Sequence, residues 1–315
     1  MDVSVILVTH NNARGLAACL RALEDALTHA RMAFPLRTHV IIVDNASDDA
    51  TPSLAAARMP DAHILRHRQN VGFAAGVNAG VRMAAGHLWL LNPDTVVEEE
   101  SLALLLHTLL AAPSIGAVGP ALLRPDGSIA PESARAFPTL WHEAMDKLGL
   151  ALRHPGHPLW GRYYLGHERT PRPVPVLSGA ALLVRREAWD ALGGLDEAFW
   201  LYGEDTDFCT RLWARGWRCV YQPRARVMHE GGGSWGAGAA LPLGIMALRS
   251  MAHYMEKHRG RGTAHAYRAL MAGLALLKGA YWTARGDRAH LRVQQAVLRW
   301  ALTGDVPDIS SGTLT

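Results

Sequence analysis

Residues 70–80 read Asn70-Val71-Gly72-Phe73-Ala74-Ala75-Gly76-Val77-Asn78-Ala79-Gly80, and residues 88–95 read Leu88-Trp89-Leu90-Leu91-Asn92-Pro93-Asp94-Thr95. The first stretch is a glycine-rich turn running into a helix. The second is a short apolar run, read as a buried strand, that ends on a polar turn. A carboxylate just past the last apolar residue of a strand lies at the carboxyl edge of its sheet. In open α/β sheets that edge is where ligands bind.

Two earlier strands end in the same way. Val3 to Val8 is an apolar, β-branched run followed by Thr9-His10-Asn11-Asn12, and His39 to Val43 is followed by Asp44-Asn45-Ala46-Ser47-Asp48-Asp49. Between them Leu16, Leu20, Leu23 and Leu27 recur at helical spacing. Thr51-Pro52 opens a second helix, with proline at the first helical position. Further on, Ala62 to Leu65 reads as a strand, Phe73 to Ala85 as a helix closed by Gly86, and Ile115 to Val118 as a fifth strand. Glu98-Glu99-Glu100 is expected in the first turn of the intervening helix, where its dipole favours negative charge. This alternation predicts an α/β fold: a Rossmann-like, mostly parallel sheet flanked by helices.

Residues 131 to 173 look irregular and are rich in Pro, His and aromatics, as expected of a long excursion over a site. Strand signals return at Val174 to Arg185, Trp217 to Tyr221 and Ala225 to His229, with helices at Arg186 to Leu192 and Thr206 to Arg215.

Composition sets bounds. The chain has 315 residues, 49% hydrophobic, enough to bury a sizeable core. The net charge of +4 is uneven: from Arg249 onward ten Lys/Arg meet four Asp/Glu. Cys19, Cys209 and Cys219 have neither paired nor metal-ligand spacing, which fits a reducing, cytoplasmic setting. The first residues enter a strand directly, so no secretory signal is expected. The apolar segment Ala269 to Leu277 is far shorter than the roughly 20 residues that span a bilayer. Nothing in these patterns calls for a nucleic-acid partner.

Several side chains suit a metal- and phosphate-handling site. Asp94 can hold a hard divalent cation such as Mg²⁺ or Mn²⁺, which uses one or two protein carboxylates and completes its shell with substrate phosphates and water. Asn92 could support it through water. His229, before the triple glycine Gly231-Gly232-Gly233, is a second candidate ligand. Glu204-Asp205 follows the aromatic run Phe199-Trp200-Leu201-Tyr202. The pair can serve as helix caps or as a general base, with Trp200 and Tyr202 stacking on a sugar acceptor. The glycine-rich run at 70–76 could face phosphate. It is neither a Walker loop nor Gly-x-Gly-x-x-Gly, which disfavours a kinase or an ordinary dinucleotide-dependent dehydrogenase.

Taken in order, Val-Thr-His-Asn-Asn, Val-Asp-Asn-Ala-Ser-Asp-Asp, Asn-Val-Gly-Phe-Ala-Ala-Gly-Val-Asn, Leu-Leu-Asn-Pro-Asp-Thr, Gly-Glu-Asp-Thr-Asp-Phe-Cys-Thr-Arg-Leu and the His229 segment resemble glycosyltransferase family 2. The likeness is greatest to its rhamnosyltransferase-like branch. The resemblance implies a GT-A fold, a nucleotide-diphosphate sugar donor, a divalent metal and inversion at the anomeric carbon. It implies a catalytic domain over 1–240, with a nucleotide-sugar half at 1–120 and an acceptor half at 121–240, and a helical extension at 241–315.

Position by position it implies that Thr9 and Asp44 bind the nucleoside, with Asn11 and Asn45 nearby, and that Asn70, Gly72, Phe73 and Asn78 line the donor pocket. Asp94 and His229 become metal ligands, Asp205 the base, and Glu204 its neighbour toward the acceptor. Asn92 stands where the family carries the first Asp of Asp-x-Asp, removing one negative charge. The implied reaction moves a sugar, best L-rhamnose from dTDP-L-rhamnose, to a cell-surface glycan or its lipid-linked precursor. A UDP-hexose or UDP-N-acetylhexosamine donor, a nucleotidyltransferase, and a non-catalytic sugar-nucleotide-binding module are the alternatives.

The tail carries a separate pattern. Tyr267, Leu270, Met271, Leu274, Leu277 and Tyr281 form an apolar stripe with Arg268 and Lys278 off it. Two readings stand: the stripe packs on the catalytic domain or a second subunit, or it lies peripherally on an anionic membrane. Gly273 and Gly279 weaken an isolated helix and favour packing.

Overall fold

Alternating strand and helix runs fold into a sheet with helices on both faces. The computed structural model describes residues 1–157, 159–163, 170–230 and 240–305. The chain divides into one unit of Met1–Phe137, His154–Trp200 and Glu204–Ser234, and another of Pro138–Arg153, Leu201–Gly203 and Trp235–Thr315.

In the first unit the elements run β1 (Asp2–Thr9), α1 (Ala13–Ala33), β2 (Arg37–Asp44), α2 (Thr51–Arg58), β3 (His63–Arg66), α3 (Phe73–Val81), β4 (His87–Leu91), β5 (Thr95–Val97), α4 (Ser101–Leu110) and β6 (Ile115–Leu123). A 3₁₀ turn at Pro131–Ser133 leads to β7 (Ala134–Arg135). The second unit then takes α5 (Leu140–Lys147) and α6 (Leu150–Arg153). The first unit resumes with β8 (Arg172–Pro173), β9 (Val176–Leu177), β10 (Ala181–Val184), α7 (Arg186–Leu192), α8 (Glu204–Ala214) and β11 (Arg218–His229).

The main sheet has the order β3-β2-β1-β4-β10-β6-β11-β5, with β8 beside β11. β3, β2, β1 and β4 are parallel neighbours, with Thr9 opposite Asp44 and Ile6 opposite Leu90. Thr9, Asp44 and the Asn92–Asp94 turn therefore leave the sheet at one edge. β10 departs from parallel pairing, running antiparallel between β4 and β6, as do β5 and β8, each antiparallel to β11.

Side-chain alternation divides the core into two layers. Val3, Val5 and Leu7, with Trp89 and Leu91, pack against Leu16, Leu23 and Leu105. Ile6 and Val8, with Leu88 and Leu90, pack against Val77, Trp189 and Phe208 on the other face.

Three helix details differ from the sequence reading. α3 ends at Val81, not Ala85. Gly86 is required by contact rather than by capping: its φ is +66°, and a Cβ there would lie 2.0 Å from the Asp2 carbonyl oxygen. Glu98-Glu99-Glu100 precede α4, which begins at Ser101, so that helix has no acidic first turn. The excursion at 131–173 contains α5 and α6 rather than irregular chain alone.

In the second unit, α5 and α6 join α9 (Ala240–Arg259), α10 (Arg261–Ala284) and α11 (Arg288–Thr303). Tyr267, Met271 and Ala275 of α10 are buried there, as are Tyr254 and Trp300. The tail stripe thus packs over its first two turns, whereas Leu277 and Tyr281 remain exposed. No helix among the described residues is long and apolar enough to cross a membrane.

The glycines of α3 let that helix touch the sheet. A Cβ on Gly80 would meet Ile6 Cγ2 at 2.9 Å and Val43 Cγ2 at 3.1 Å. Overpacking of this kind costs about 1–3 kcal/mol. We expect Gly80→Val to lower the urea midpoint accordingly with an unchanged slope; an unaltered midpoint would show that α3 has slack against the sheet.

Candidate active site

Hydrogen bonds between main chain and short polar side chains lace the first two strand ends together. Asn45 N donates to Thr9 O at 2.8 Å, and the His10 Nδ1 lies 2.9 Å from Asn45 O. Asn11 adopts a positive φ of 48°. Its N–H donates to Ser47 Oγ, and its Oδ1 accepts from Asp48 N, both at 3.0 Å. Asp44 Oδ1 accepts from Ser47 N at 3.3 Å. Arg66 Nε sits 3.1 Å from Asp44 Oδ2, paired by charge without the alignment of a hydrogen bond.

Thr9 is fully buried, with its hydroxyl directed at Val43 O. The hydroxyl is therefore sealed into the sheet and is not offered to a nucleoside; Thr9 instead fixes the place of Asn45.

The glycine-rich turn joins this cluster. Asn45 Nδ2 donates to Gly72 O at 2.9 Å, and its Oδ1 is buried with no hydrogen-bond partner among the described residues. Asn70 Oδ1 accepts from Gly72 N at 3.0 Å. Phe73 N donates to Trp200 O at 2.8 Å. Gly72 has φ +86°, and a Cβ there would strike Trp200 Cδ1 and O, each at 2.6 Å. Trp200 therefore lies over the glycine-rich turn. Tyr202, exposed at a φ of 65°, belongs to the second unit.

Asn78 ties two segments together. Its Nδ2 donates to Leu195 O and Glu197 Oε1, both at 2.9 Å, and its Oδ1 accepts from Leu195 N at 3.0 Å. Its amide thus holds the 195–197 loop.

The metal candidates meet. β5 pairs antiparallel with the end of β11, setting His229 opposite Thr95, and Glu230 N donates to Asp94 O at 3.2 Å. His229 Nε2 lies 3.3 Å from Asp94 Oδ1, with both side chains largely buried. Burial opposes the charged imidazole, but the hydrogen bond and charge of Asp94, aided by Glu132, raise its pKa overall. Asn92 Oδ1, two residues upstream, is buried with no hydrogen-bond partner among the described residues.

The carboxylate and imidazole that meet here are donor types that suit a divalent cation completed by substrate and water. Among the described residues no group of three or more His, Cys, Asp or Glu gathers to hold a metal, so Asp94 and His229 stand here as a pair. Cys19 lies beneath this turn, its Sγ 3.6 Å from Asn92 O. Burial pushes its pKa up to about 12, so it remains a thiol filling space and is no ligand. The triple glycine at 231–233 lies outside the described residues.

The carboxylate pair opens α8. Arg135 Nη2 donates to both Asp205 oxygens at 3.0 Å and to Thr206 Oγ1 at 2.8 Å. Gly179 N and Thr206 N also donate to Asp205, at 3.2 and 2.6 Å. Asp205 is thus an acceptor at every one of these contacts. Glu204 is buried; desolvation, then the neighbouring charge of Asp205, pushes its pKa up to about 8, and its Oε2 has no hydrogen-bond partner among the described residues.

Arg135 escaped the sequence reading because it stands alone in the stretch taken as loop; β7 carries it to Asp205. The remaining charges of the Glu204 motif are structural. Arg211 Nε donates to the buried Asp207 at 2.7 Å, and its Nη atoms donate to Leu192 O and Gly194 O.

Comparison with known proteins gives the family and the fold. Residues 2–240 match the Glycosyltransferase like family 2 profile. An N-acetylglucosaminyl-diphospho-decaprenol L-rhamnosyltransferase of Mycobacterium tuberculosis is 34% identical over 294 residues, 88% of this chain and 90% of that protein. The mannosyltransferase PcManGT of Pyrobaculum calidifontis, solved with GDP-Man and Mn²⁺, superposes with TM-score 0.58 at 19% identity over 96% of this chain and 87% of that one. TarS 1–349 of S. aureus, solved with UDP, gives 0.52 at 13% identity over 99% and 95%. The chain belongs to glycosyltransferase family 2, a nucleotide-sugar-dependent transferase built on the GT-A fold.

Proposed function

We propose that this chain transfers L-rhamnose from dTDP-L-rhamnose, with inversion, to a hydroxyl of a lipid-linked saccharide at the cytoplasmic face of a membrane. The observation that carries the reading is the Asp94–His229 pair, 3.3 Å apart and brought together from positions 135 residues apart in sequence. The rhamnosyltransferase relative supports the choice of sugar and of a lipid-linked acceptor. Residues 1–240 would carry the reaction, in a donor half to about 120 and an acceptor half beyond it, with 241–315 as a helical extension.

Asp94, His229 and Asn92 would hold a divalent cation, whose bound charge stabilises the diphosphate as the sugar leaves. The cation would be Mg²⁺ or Mn²⁺. Asp44, Asn45, Asn70 and Gly72 would shape the donor pocket, with Asn11 fixing the Asp44 loop and Phe73 the glycine-rich turn. Thr9 and Asn78 would act one step behind, by fixing Asn45 and the 195–197 loop.

A sugar hydroxyl attacks well only as its proton is removed, and general-base help contributes about 10²–10⁴-fold. Asp205 would take that proton. Arg135, Gly179 N and Thr206 N aim its carboxylate and hold it as an acceptor. Glu204, with a pKa of about 8, would hold its own proton at neutral pH and donate to the acceptor instead of competing for the proton.

Asp94→Ala and His229→Ala should each abolish the Mn²⁺-dependent part of donor binding in calorimetry; full turnover in excess chelator would remove the metal from the reaction. In the same titrations dTDP or UDP should bind more tightly than GDP or ADP, and a purine preference would overturn the donor assignment. Asp205→Asn should lower kcat by at least about a hundredfold while leaving donor affinity within a few-fold. Normal turnover by that variant, with a dead Glu204→Gln of intact donor affinity, would exchange the two roles.

Glu204 also makes a stability prediction. Its folded-state pKa is raised from 4.5 to about 8, so the folded chain keeps a proton that the unfolded chain releases above the lower value. This contribution is fully present in acid and is lost as pH rises through 8. Glu204→Gln should flatten the fall in stability between pH 5 and 8, read by urea titration. An identical slope in both proteins would place the titration elsewhere.

A further inference from the structure

The second unit carries an apolar groove with two cations at its edge. The groove, about 460 Å³, is lined by Ile245 and Leu248 of α9, Met271 and Leu274 of α10, and Val297 of α11. Lys147, at the end of α5, and Lys278 of α10 complete it. Lys278 Nζ donates to the Lys147 carbonyl. Its pKa is lowered by burial and by the charge of Lys147, so the two ammonium groups sense each other. Neither lysine has a carboxylate partner among the described ion pairs.

The surroundings are unusual for a water-facing surface. Leu277 is 71% exposed and Leu276 59%; Tyr281, Leu148, Leu152 and Trp141 are exposed as well. Leu277 and Tyr281 are one helical turn apart and flank Lys278 in sequence, while Leu148 follows Lys147. Between Met271 and Asp305 five Lys/Arg meet two Asp, one of which, Asp305, pairs with Arg299. Arg285 lies over the Tyr281 ring at 4.9 Å. Large exposed apolar side chains interleaved with cations mark an interaction surface.

Its chemistry selects the partner. A second copy joined by a twofold axis would bring the same basic patch against itself. An anionic bilayer answers both features: apolar side chains enter the headgroup boundary, and basic residues are attracted to lipid phosphates. Lysine stems also cover apolar surface while their ammonium groups reach the headgroups.

We propose that this face docks on an anionic phospholipid bilayer, with one lipid phosphate between Lys147 and Lys278 and the adjoining chain in the groove. The inference deepens the transferase reading, in which the acceptor is carried by a lipid, and it completes the tail stripe: Tyr267 and Met271 build the helical unit, and Leu277 and Tyr281 face the membrane.

The test uses the full chain and vesicles of phosphatidylcholine with or without phosphatidylglycerol. Flotation should require phosphatidylglycerol and weaken with salt. Lys147→Glu with Lys278→Glu should reduce partitioning at least about tenfold, since each basic residue near the surface contributes about 1 kcal/mol. Leu277→Asp should reduce it while leaving the thermal midpoint unchanged. The native cysteines are all buried. A polarity-sensitive dye on Leu277→Cys should therefore report selectively, shifting to the blue only on anionic vesicles.

Equal binding to both vesicle types, no binding, or an unmoved dye would overturn the proposal. So would a dimer in light scattering that Leu277→Asp dissociates. Turnover on a water-soluble acceptor separates the two readings. Transfer without flotation refutes the membrane face alone, and flotation without transfer to any offered acceptor refutes the transferase reading alone.

Discussion

Three residues of antiparallel pairing, Thr95–Val97 against Val227–His229, hold the candidate metal site together. The pairing is short, yet it determines which side chain meets Asp94. A slip of one residue would turn His229 to the other face of the strand, because side chains alternate with period two. Both partners are braced independently. β11 is fixed along its length by β6, with a register shift between Gln222 and Arg226 that re-aims its last residues. The Asp94 turn rests on α1, where a Cβ on Gly15 would lie 3.4 Å from Pro93 O and 3.5 Å from Asp94 Cα. A glycine near the start of α1 and a strand irregularity far along the chain thus serve the same contact.

The carboxylate pair shows how environment separates two chemically similar groups. Asp205 meets an arginine and two backbone N–H groups, all donors. Glu204, one residue away, is buried beside that negative charge and gains no comparable set. Burial beside a like charge favours the protonated acid at Glu204. The contrast between the two environments therefore follows from the start of α8 and from β7, which delivers Arg135. It does not follow from the identities Glu and Asp.

Much of the sheet was legible in sequence because it obeys simple periodicities. β1, β2 and β4 are apolar runs ending in polar turns, and parallel pairing carries all three turns to one edge. What periodicity could not show was strand direction: Ala181 to Val184 reads like any buried strand, and only the fold reveals it antiparallel between β4 and β6. Helix ends were misplaced where contact, not capping, decided them. Gly86 suggested a helix stop but answers to Asp2, some 84 positions earlier in sequence. Thr9 and Asn78 illustrate the same limit within the site. A motif shows that a polar side chain is wanted at a position, but not whether it faces a ligand or the protein's own backbone, and both turn inward.

The tail makes the point in energetic terms. Its apolar stripe satisfied two readings, since a helix face that packs on protein and one that enters a headgroup layer share the same spacing. The structure divides the stripe along its length rather than choosing between them. Tyr267, Met271 and Ala275 are removed from water by α9 and α11, so their hydrophobic gain is realised within the unit. Leu276 and Leu277 gain nothing comparable there, and each fully buried leucine is worth about 1.5–3 kcal/mol. Adjacent leucines left in water beside Lys278 therefore hold an unrealised driving force comparable to that of a weak association. Under the proposed docking, an apolar layer bounded by negative charge would take up the leucines and the lysine together.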